Sequence, residues 1–408
     1  MMNVLWICSV LPEGVGAAFG LSDQFCAGWL NSTISELRKI PEFHLDYLTI
    51  IPADHNETEI HEISSIRYIV LQYQNRSEIE KFFSENHYDL YHVYGLELKY
   101  TGDIEPYLPF EKTLFYIQGF AGACDRHYFG NLRELYHLNP LQNLVIGEQK
   151  RGFAKKAETE ARILKEAKFI TGRTAFDRAV LFEHGCTAKY YPMNESLRDI
   201  FYQSPVWNVS TMERHSIFVS QASYPIKGTW MIAEILKVLK DRFPDVRCYI
   251  SGYDLTKAEG IFTRLGCTYA SLIRKLIAKY HLEEHMIFVG SRNAAQMAEL
   301  YRKANCYLLA STVENSSNSL QEAMFLGTPC VSSFVGGVSS IVSSAEQALL
   351  YPADDITQGA YAIARIFEDD ELAESLSVHA RERMKKIADR EKNVSDLIGI
   401  YKDILKQN

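Results

Sequence analysis

Residues 216–250 read SIFVSQASYPIKGTWMIAEILKVLKDRFPDVRCYI, and the order of patterns in this stretch decides the fold. Ser216–Val219 is a short apolar run without alternation, as expected of a parallel strand covered on both faces. Ser220–Gly228 is a turn-rich loop, and Thr229–Arg242 then repeats apolar residues at spacings of three and four, the period of an amphipathic helix. Arg247–Ile250 opens another apolar run. Strand, helix and strand in this order build the crossover unit of doubly wound α/β sheets.

The same alternation extends outward in both directions. Upstream, Asn3–Cys8, Leu45–Ile51, Arg67–Leu71, Leu90–Val93, Leu114–Ile117 and Phe169–Thr171 read as strands. Downstream, Met286–Val289, Cys306–Leu309 and Pro329–Ser332 do so, with helices over Thr263–His281 and Asn293–Lys303. Ser204–Arg214 (SPVWNVSTMER) has turn chemistry and weak periodicity, which places a seam near 200–215. The expected fold is therefore α/β, with two Rossmann-like doubly wound domains facing a central cleft. Their expected bounds are 1–205 and 206–390, followed by a helix within 391–408 that could pack on either domain.

The chain has 408 residues, 47% of them apolar, which suffices for two sizeable cores. Its 43 basic and 51 acidic residues give a net charge of −8, a poor match to a general nucleic-acid binder. No apolar run reaches the length of a spanning helix, and Met1–Val10 lacks a basic leader, so a cytoplasmic protein is expected. Cys8, Cys248, Cys306 and Cys330 lie in apolar runs and read as small buried hydrophobes. There is no Asp-x-Asp and no His/Cys cluster at ligand spacing, so neither a metal site nor a cofactor is expected.

Three loops carry candidate chemistry. Ser311–Ser333 (STVENSSNSLQEAMFLGTPCVSS) holds Glu314 and Glu322 around a polar loop that includes Asn315. Ser319-x-x-Glu322 has the form of a capping box, so a helix is expected to begin near Ser319. The N–H groups of Leu320 and Gln321 would then face the loop as an anion site. Two carboxylates beside a diphosphate are tolerable if they accept bonds from hydroxyls, which a sugar nucleotide carries on both its hexose and its ribose. The alternative is that Glu322 only caps its helix and Glu314 is solvated. Val219–Gly228 supplies Lys227, which can neutralise a diphosphate, and Gly228, which permits close backbone approach. Leu11–Gly20 (LPEGVGAAFG) offers Gly14, Val15 and Gly16 as a phosphate-type loop, although Gly20 is one position late for G-x-G-x-x-G.

Taken together, these residues resemble the retaining glycosyltransferases of family 4, whose two-Rossmann architecture is the GT-B fold. Glu314-x7-Glu322 followed by Ala-Met-x-x-Gly-Thr-Pro matches the family signature, and Lys227-Gly228 and Tyr88–Val93 match further landmarks. Ile117-Gln118-Gly119, Gly172-Arg173-Thr174 and Asn194–Arg198 look like a subgroup found in capsule and exopolysaccharide synthesis. The resemblance implies transfer of a sugar from a nucleotide diphosphate-sugar, here a UDP-sugar, to a hydroxyl of a glycan or lipid-linked acceptor. It implies Lys227 and the Ser319–Gln321 amides on the diphosphate, Glu322 on ribose and Glu314 on the hexose. The acceptor would lie near Gly14–Gly16, Gln118–His127 and Arg173.

The sequence departs from the family twice. Ala222 stands where many members carry an arginine, which leaves Arg292, after Gly290, as a substitute cation. Gln118 stands where many have a histidine; it can hydrogen-bond a sugar or phosphate but cannot transfer a proton as imidazole does. A sugar-nucleotide epimerase, a dinucleotide-dependent oxidoreductase and a non-catalytic sugar-nucleotide-binding partner are the rival readings. The basic start of Gln149–Lys165 adds a candidate contact with an anionic membrane or a lipid-diphosphate acceptor.

Overall fold

The structure is a computed structural model and describes residues 2–21, 26–51, 58–72, 75–96 and 100–407. The chain divides into two compact units. The first comprises Met1–Gly122, Ala154–Asp199 and Ile387–Asn408, and the second Ala123–Phe153 and Ile200–Lys386.

In the first unit the strands begin with β1 (Met2–Cys8), the short β2 (Leu11–Pro12) and β3 (Cys26–Ala27), β4 (Phe43–Ile51) and β5 (Glu59–Ile63). They continue with β6 (Ile66–Gln72), β7 (Leu90–Tyr94), β8 (Thr113–Tyr116), β9 (Phe169–Gly172) and β10 (Lys189–Pro192). The main sheet runs β10-β9-β8-β7-β1-β4-β6-β5, parallel except for the β5–β6 hairpin. Val4–Cys8 is wholly buried at the sheet centre, the burial that its unbroken apolar run predicts. The last helix, Arg390–Gln407, belongs to this unit. Its Tyr401 hydroxyl accepts from Trp6 Nε1 (2.8 Å) and lies 2.7 Å from His92 Nδ1.

The second unit holds β11 (Glu213–Val219), β12 (Arg247–Ser251), β13 (Met286–Gly290), β14 (Ala304–Leu309), β15 (Cys330–Ser333) and β16 (Leu349–Tyr351). Its parallel sheet is ordered β13-β12-β11-β14-β15-β16, the strand order of a dinucleotide-binding domain. The order reverses between β11 and β14, and ligands in such sheets bind at the strand carboxyl ends beside that reversal. The architecture is thus α/β with two Rossmann-like, parallel-sheet domains. Cys8, Cys248, Cys306 and Cys330 are free and buried.

Several expectations change. Thr263–His281 is not one helix: Ile261–Arg264 and Tyr269–Tyr280 are separated by a turn in which Gly266 has φ +73° and Thr268 caps the second piece. The edge strands Glu59–Ile63 and Lys189–Pro192 lack an unbroken apolar run, and Leu349–Tyr351, also at an edge, is apolar but only three residues long. The segment Ala123–Phe153, expected within the first domain, belongs to the second unit. Tyr136 donates to Glu234 Oε1 (2.6 Å), Gln142 Nε2 to the Gly266 carbonyl (3.1 Å) and Thr312 Oγ1 to the His127 carbonyl (2.7 Å). These partners lie 98 to 185 residues away, beyond the reach of local pattern.

Candidate active site

The loops after β11 and β14 meet at the point where the sheet order reverses. Pro225–Lys227 forms a single 3-10 turn, closed by Gly228 at φ +68°. A Cβ on Gly228 would stand 1.9 Å from the Ala310 carbonyl oxygen, so both the dihedral and the space demand glycine there. The Thr312 N–H donates to the Ile226 carbonyl (2.8 Å), which fastens the lysine turn to the loop that follows β14.

This fastening brings Lys227 Nζ to 2.5 Å from Glu314 Oε1. Ser311 Oγ donates to the same carboxylate oxygen at 2.7 Å. Burial by itself would lower the Lys227 ammonium, but the Glu314 carboxylate outweighs it, so the lysine is held above its ordinary value and stays charged. The two side chains are 19% and 10% exposed, so the pair is reachable rather than sealed. On its backbone side, Glu314 accepts from the Gly337 N–H (3.0 Å). A Cβ on Gly336 would come within 2.0 Å of the Glu314 carbonyl oxygen, so that approach also requires glycine.

The following helix runs Asn318–Leu326 and is capped by Ser317, whose Oγ accepts from the Leu320 N–H at 3.3 Å. The helix starts within one residue of the expected position, but its cap is not Ser319. With Ser317 as the cap, Ser319 and Glu322 cannot form a capping box, and the Leu320 and Gln321 N–H groups bond to Ser317. The first-turn N–H groups without an intrahelical acceptor are those of Asn318 and Ser319. Ser319 Oγ accepts from the Tyr307 hydroxyl (2.9 Å), which also lies 3.1 Å from Ser220 Oγ at the end of β11. Glu322 is buried, and its Oε2 accepts from the Tyr301 hydroxyl at 3.2 Å. Asn315 is buried in the same loop. Sequence reasoning missed Ser311, Tyr301 and Tyr307; the tyrosines fall within the expected helix Asn293–Lys303 and strand Cys306–Leu309, where nothing local marks their hydroxyls as partners of this loop.

Other expected residues fall elsewhere. Arg292 is exposed just before Asn293, the cap of Ala294–Lys303, and no hydrogen bond or ion pair described joins it to Lys227 or Glu314. His127 ends the helix Ala121–His127 in the second unit and not, as expected, in the first, because Thr312 holds its carbonyl. In the first unit, Gly14 (φ +88°) and Val15 lead into a 3-10 turn, Gly16–Phe19, and not into an α-helix. The Val15 N–H is already given to the Pro12 carbonyl (3.1 Å), so this loop lacks the helix N-terminus of a phosphate loop. Gln118 follows β8 and is half-buried, while the Ala121 N–H beyond it donates to buried Glu160 (2.7 Å). Arg173 turns inward: its Nη1 pairs with Glu195 Oε2 at 2.7 Å, with side chains 6% and 7% exposed. That guanidinium has an internal partner and does not line an open loop. Among the described residues, no group of three His, Cys, Asp or Glu side chains could hold a metal ion. No helix described is long and apolar enough to cross a membrane.

The family model for Glycosyl transferases group 1 matches residues 202–383, a span containing the Lys227 turn and both glutamates. N-acetyl-alpha-D-glucosaminyl L-malate synthase of Bacillus anthracis is 30% identical over 142 residues, 35% of this chain and 36% of that protein. The chain spans about a third of the length of the curated relatives it matches first. Sucrose-phosphate synthase from Thermosynechococcus elongatus superposes with a TM-score of 0.71 at 18% identity, covering 100% of both chains. Anabaena HepE, solved with UDP-glucose, gives 0.68 at 15% identity over 99% of this chain and 100% of its own. At such identities the likeness is one of fold. Residues 202–383 therefore match the model of the glycosyl transferases group 1 family, and the whole chain has the fold of the GT-B structures it resembles.

Proposed function

We propose that the chain is a retaining, metal-independent glycosyltransferase. It moves a sugar from a UDP-sugar to a hydroxyl of a glycan or lipid-linked acceptor in surface polysaccharide synthesis. The observation that carries this reading is the Lys227–Glu314 pair, poised at strand ends where the sheet order reverses. A bound diphosphate competes with Glu314 for the lysine, and the carboxylate it displaces is freed to accept from hexose hydroxyls. Glu322, with its capping role removed, accepts from ribose, while Asn315 and the Asn318–Ser319 turn complete the polar wall. Gln118 hydrogen-bonds the sugar or the phosphate.

In this mechanism the acceptor oxygen bonds to the anomeric carbon as the carbon–phosphate oxygen bond breaks on the same face. The acceptor proton passes to the departing phosphate oxygen. Catalysis is then a matter of placement and of stabilising the leaving charge, which falls to Lys227 since Ala222 supplies no second cation. The match of residues 202–383 to a glycosyltransferase family, and the UDP-glucose present in the HepE structure, support the reading.

Thermal unfolding with a panel of nucleoside diphosphate-sugars tests it. A ligand at about 100 times its Kd stabilises by roughly 2.7 kcal/mol, and UDP-sugars should give the largest rise. Donor turnover should survive chelator. No shift with any nucleotide sugar, or complete loss of turnover with EDTA reversed by manganese, would refute it.

A further inference from the structure

A cavity of about 460 Å³ lies in the second unit beside the lysine turn. Its walls include the rings of Tyr128, Tyr224 and Tyr269 together with Pro225, Glu148 and Gln149. Tyr224 and Pro225 belong to the same short segment that ends in Lys227. Tyr128, Glu148 and Gln149 come from the Ala123–Phe153 segment that joins this unit.

The tyrosines differ in how they are held. The Tyr269 hydroxyl accepts from the Trp230 N–H (3.3 Å), and the Tyr128 hydroxyl donates to the Ile146 carbonyl (3.1 Å) and lies 3.3 Å from Gln149 Oε1. Tyr128 is also wedged against Phe129 and Phe153, with ring centroids 5.0 and 6.2 Å away. These two are fixed aromatic walls. Three polar groups of these lining residues have no hydrogen-bond partner among the described residues: the Tyr224 hydroxyl, which faces the Lys227 and Glu314 charges, the Glu148 carboxylate and the Gln149 side-chain N–H₂. Fixed aromatic faces offer apolar contact to C–H groups, and the three polar groups provide donors and acceptors for hydroxyls. The volume is within the range of small-ligand sites. Glu148 is the charged side chain among the described lining residues, and it disfavours a phosphate or a carboxylate.

We infer that this cavity is a carbohydrate subsite that takes an uncharged pyranose residue of the glycan, beside and distinct from the nucleotide-sugar site. Only the naming of that glycan as the transferase's substrate rests on the function proposed above; the ligand class comes from the cavity itself. The shared Tyr224–Lys227 segment makes its occupancy felt at the lysine.

Saturation-transfer NMR on the full chain tests this. The probes are glucose, galactose, mannose, N-acetylglucosamine, maltose and lactose at millimolar concentration, with UDP binding measured in the same samples. At least one sugar should receive saturation, and the signal should fall threefold or more in the Glu148→Ala/Gln149→Ala double variant with UDP binding unchanged. Both positions are exposed on one helix, and Tyr224→Phe, which removes only a hydroxyl, is a second variant should the first unfold. Absence of any sugar signal in the wild type, a signal unchanged in both variants, or displacement of the sugar by uridine would overturn the inference. A sugar signal lost in the variants from a chain that does not bind UDP would uphold the subsite while refuting the proposed donor.

Discussion

Each unit of the molecule places a cation–carboxylate pair just past its strand ends, and the two pairs have opposite fates. Arg173 and Glu195, after β9 and β10, are 2.7 Å apart with side chains 6% and 7% exposed. Lys227 and Glu314, after β11 and β14, are 2.5 Å apart but 19% and 10% exposed. The Arg173 guanidinium is also 5.7 Å from the Tyr116 ring centroid, and its backbone N–H donates to Asp177 (2.7 Å). A planar guanidinium so surrounded has one stable arrangement, whereas a lysine is a point charge on a flexible stem that can exchange one anion for another. Similar chemistry thus makes a sealed pair in one unit and a reachable pair in the other.

The sharpest way to break this comparison is to remove each cation in turn. Arg173→Ala should cost about 3–5 kcal/mol of stability, since Glu195 is left buried and uncompensated. Chemical denaturation measures it, and a loss below about 1 kcal/mol would mean that the first pair is no staple. Lys227→Ala should unfold far less readily, because water reaches its place and Ser311 still donates to Glu314. Its effect belongs in turnover. A charge-assisted bond contributes roughly 1.5–3 kcal/mol, hence a loss of about 10- to 100-fold in rate. Activity within threefold of wild type would remove Lys227 from the mechanism.

A pH titration sharpens the contrast through the interior of the first unit. Trp6 Nε1 can only donate to Tyr401, so the Tyr401 hydrogen goes to His92 Nδ1, which fixes a neutral imidazole. Burial pushes the His92 imidazole down to about 3. The folded value lies below the unfolded one, so the unfolded chain binds the extra proton. Stability should be full above about pH 6.5 and fall by roughly 1.4 kcal/mol per unit as pH drops toward 3. His92→Phe should flatten that slope in equilibrium unfolding; an unchanged slope would assign the pH dependence to other groups.

The smallest effects separate the two glutamates of the second unit. Glu322→Gln keeps an oxygen for the Tyr301 hydroxyl and should shift stability by about 1 kcal/mol or less. It should weaken UDP binding several-fold, because Gln keeps an acceptor for a ribose hydroxyl and loses only the charge. Glu314→Gln should spare UDP binding and lower turnover with the intact donor. Titration of both variants with UDP and with donor decides, and identical behaviour would deny them separate roles.

What the sequence determined by itself was local or strongly patterned. Unbroken apolar runs such as Val4–Cys8 require burial on both faces, and that burial, with helices between, dictates parallel sheets. Parallel sheets carry their ligand loops at strand carboxyl ends, so Lys227 and Glu314 could be placed near one another without coordinates. The tertiary structure decided whatever depends on partners remote in the chain. Ser317 and not Ser319 caps the helix, while the Ser319 hydroxyl is taken by Tyr307, itself in reach of Ser220, and that shift frees Glu322 from a capping role. Arg173 is an internal staple because Glu195, 22 positions on, is buried opposite it. Ala123–Phe153 joins the second unit because Glu234, Gly266 and Thr312 hold it there. Hydrogen bonds and ion pairs across such separations leave no period in the sequence; their partners become neighbours only when the sheets have formed.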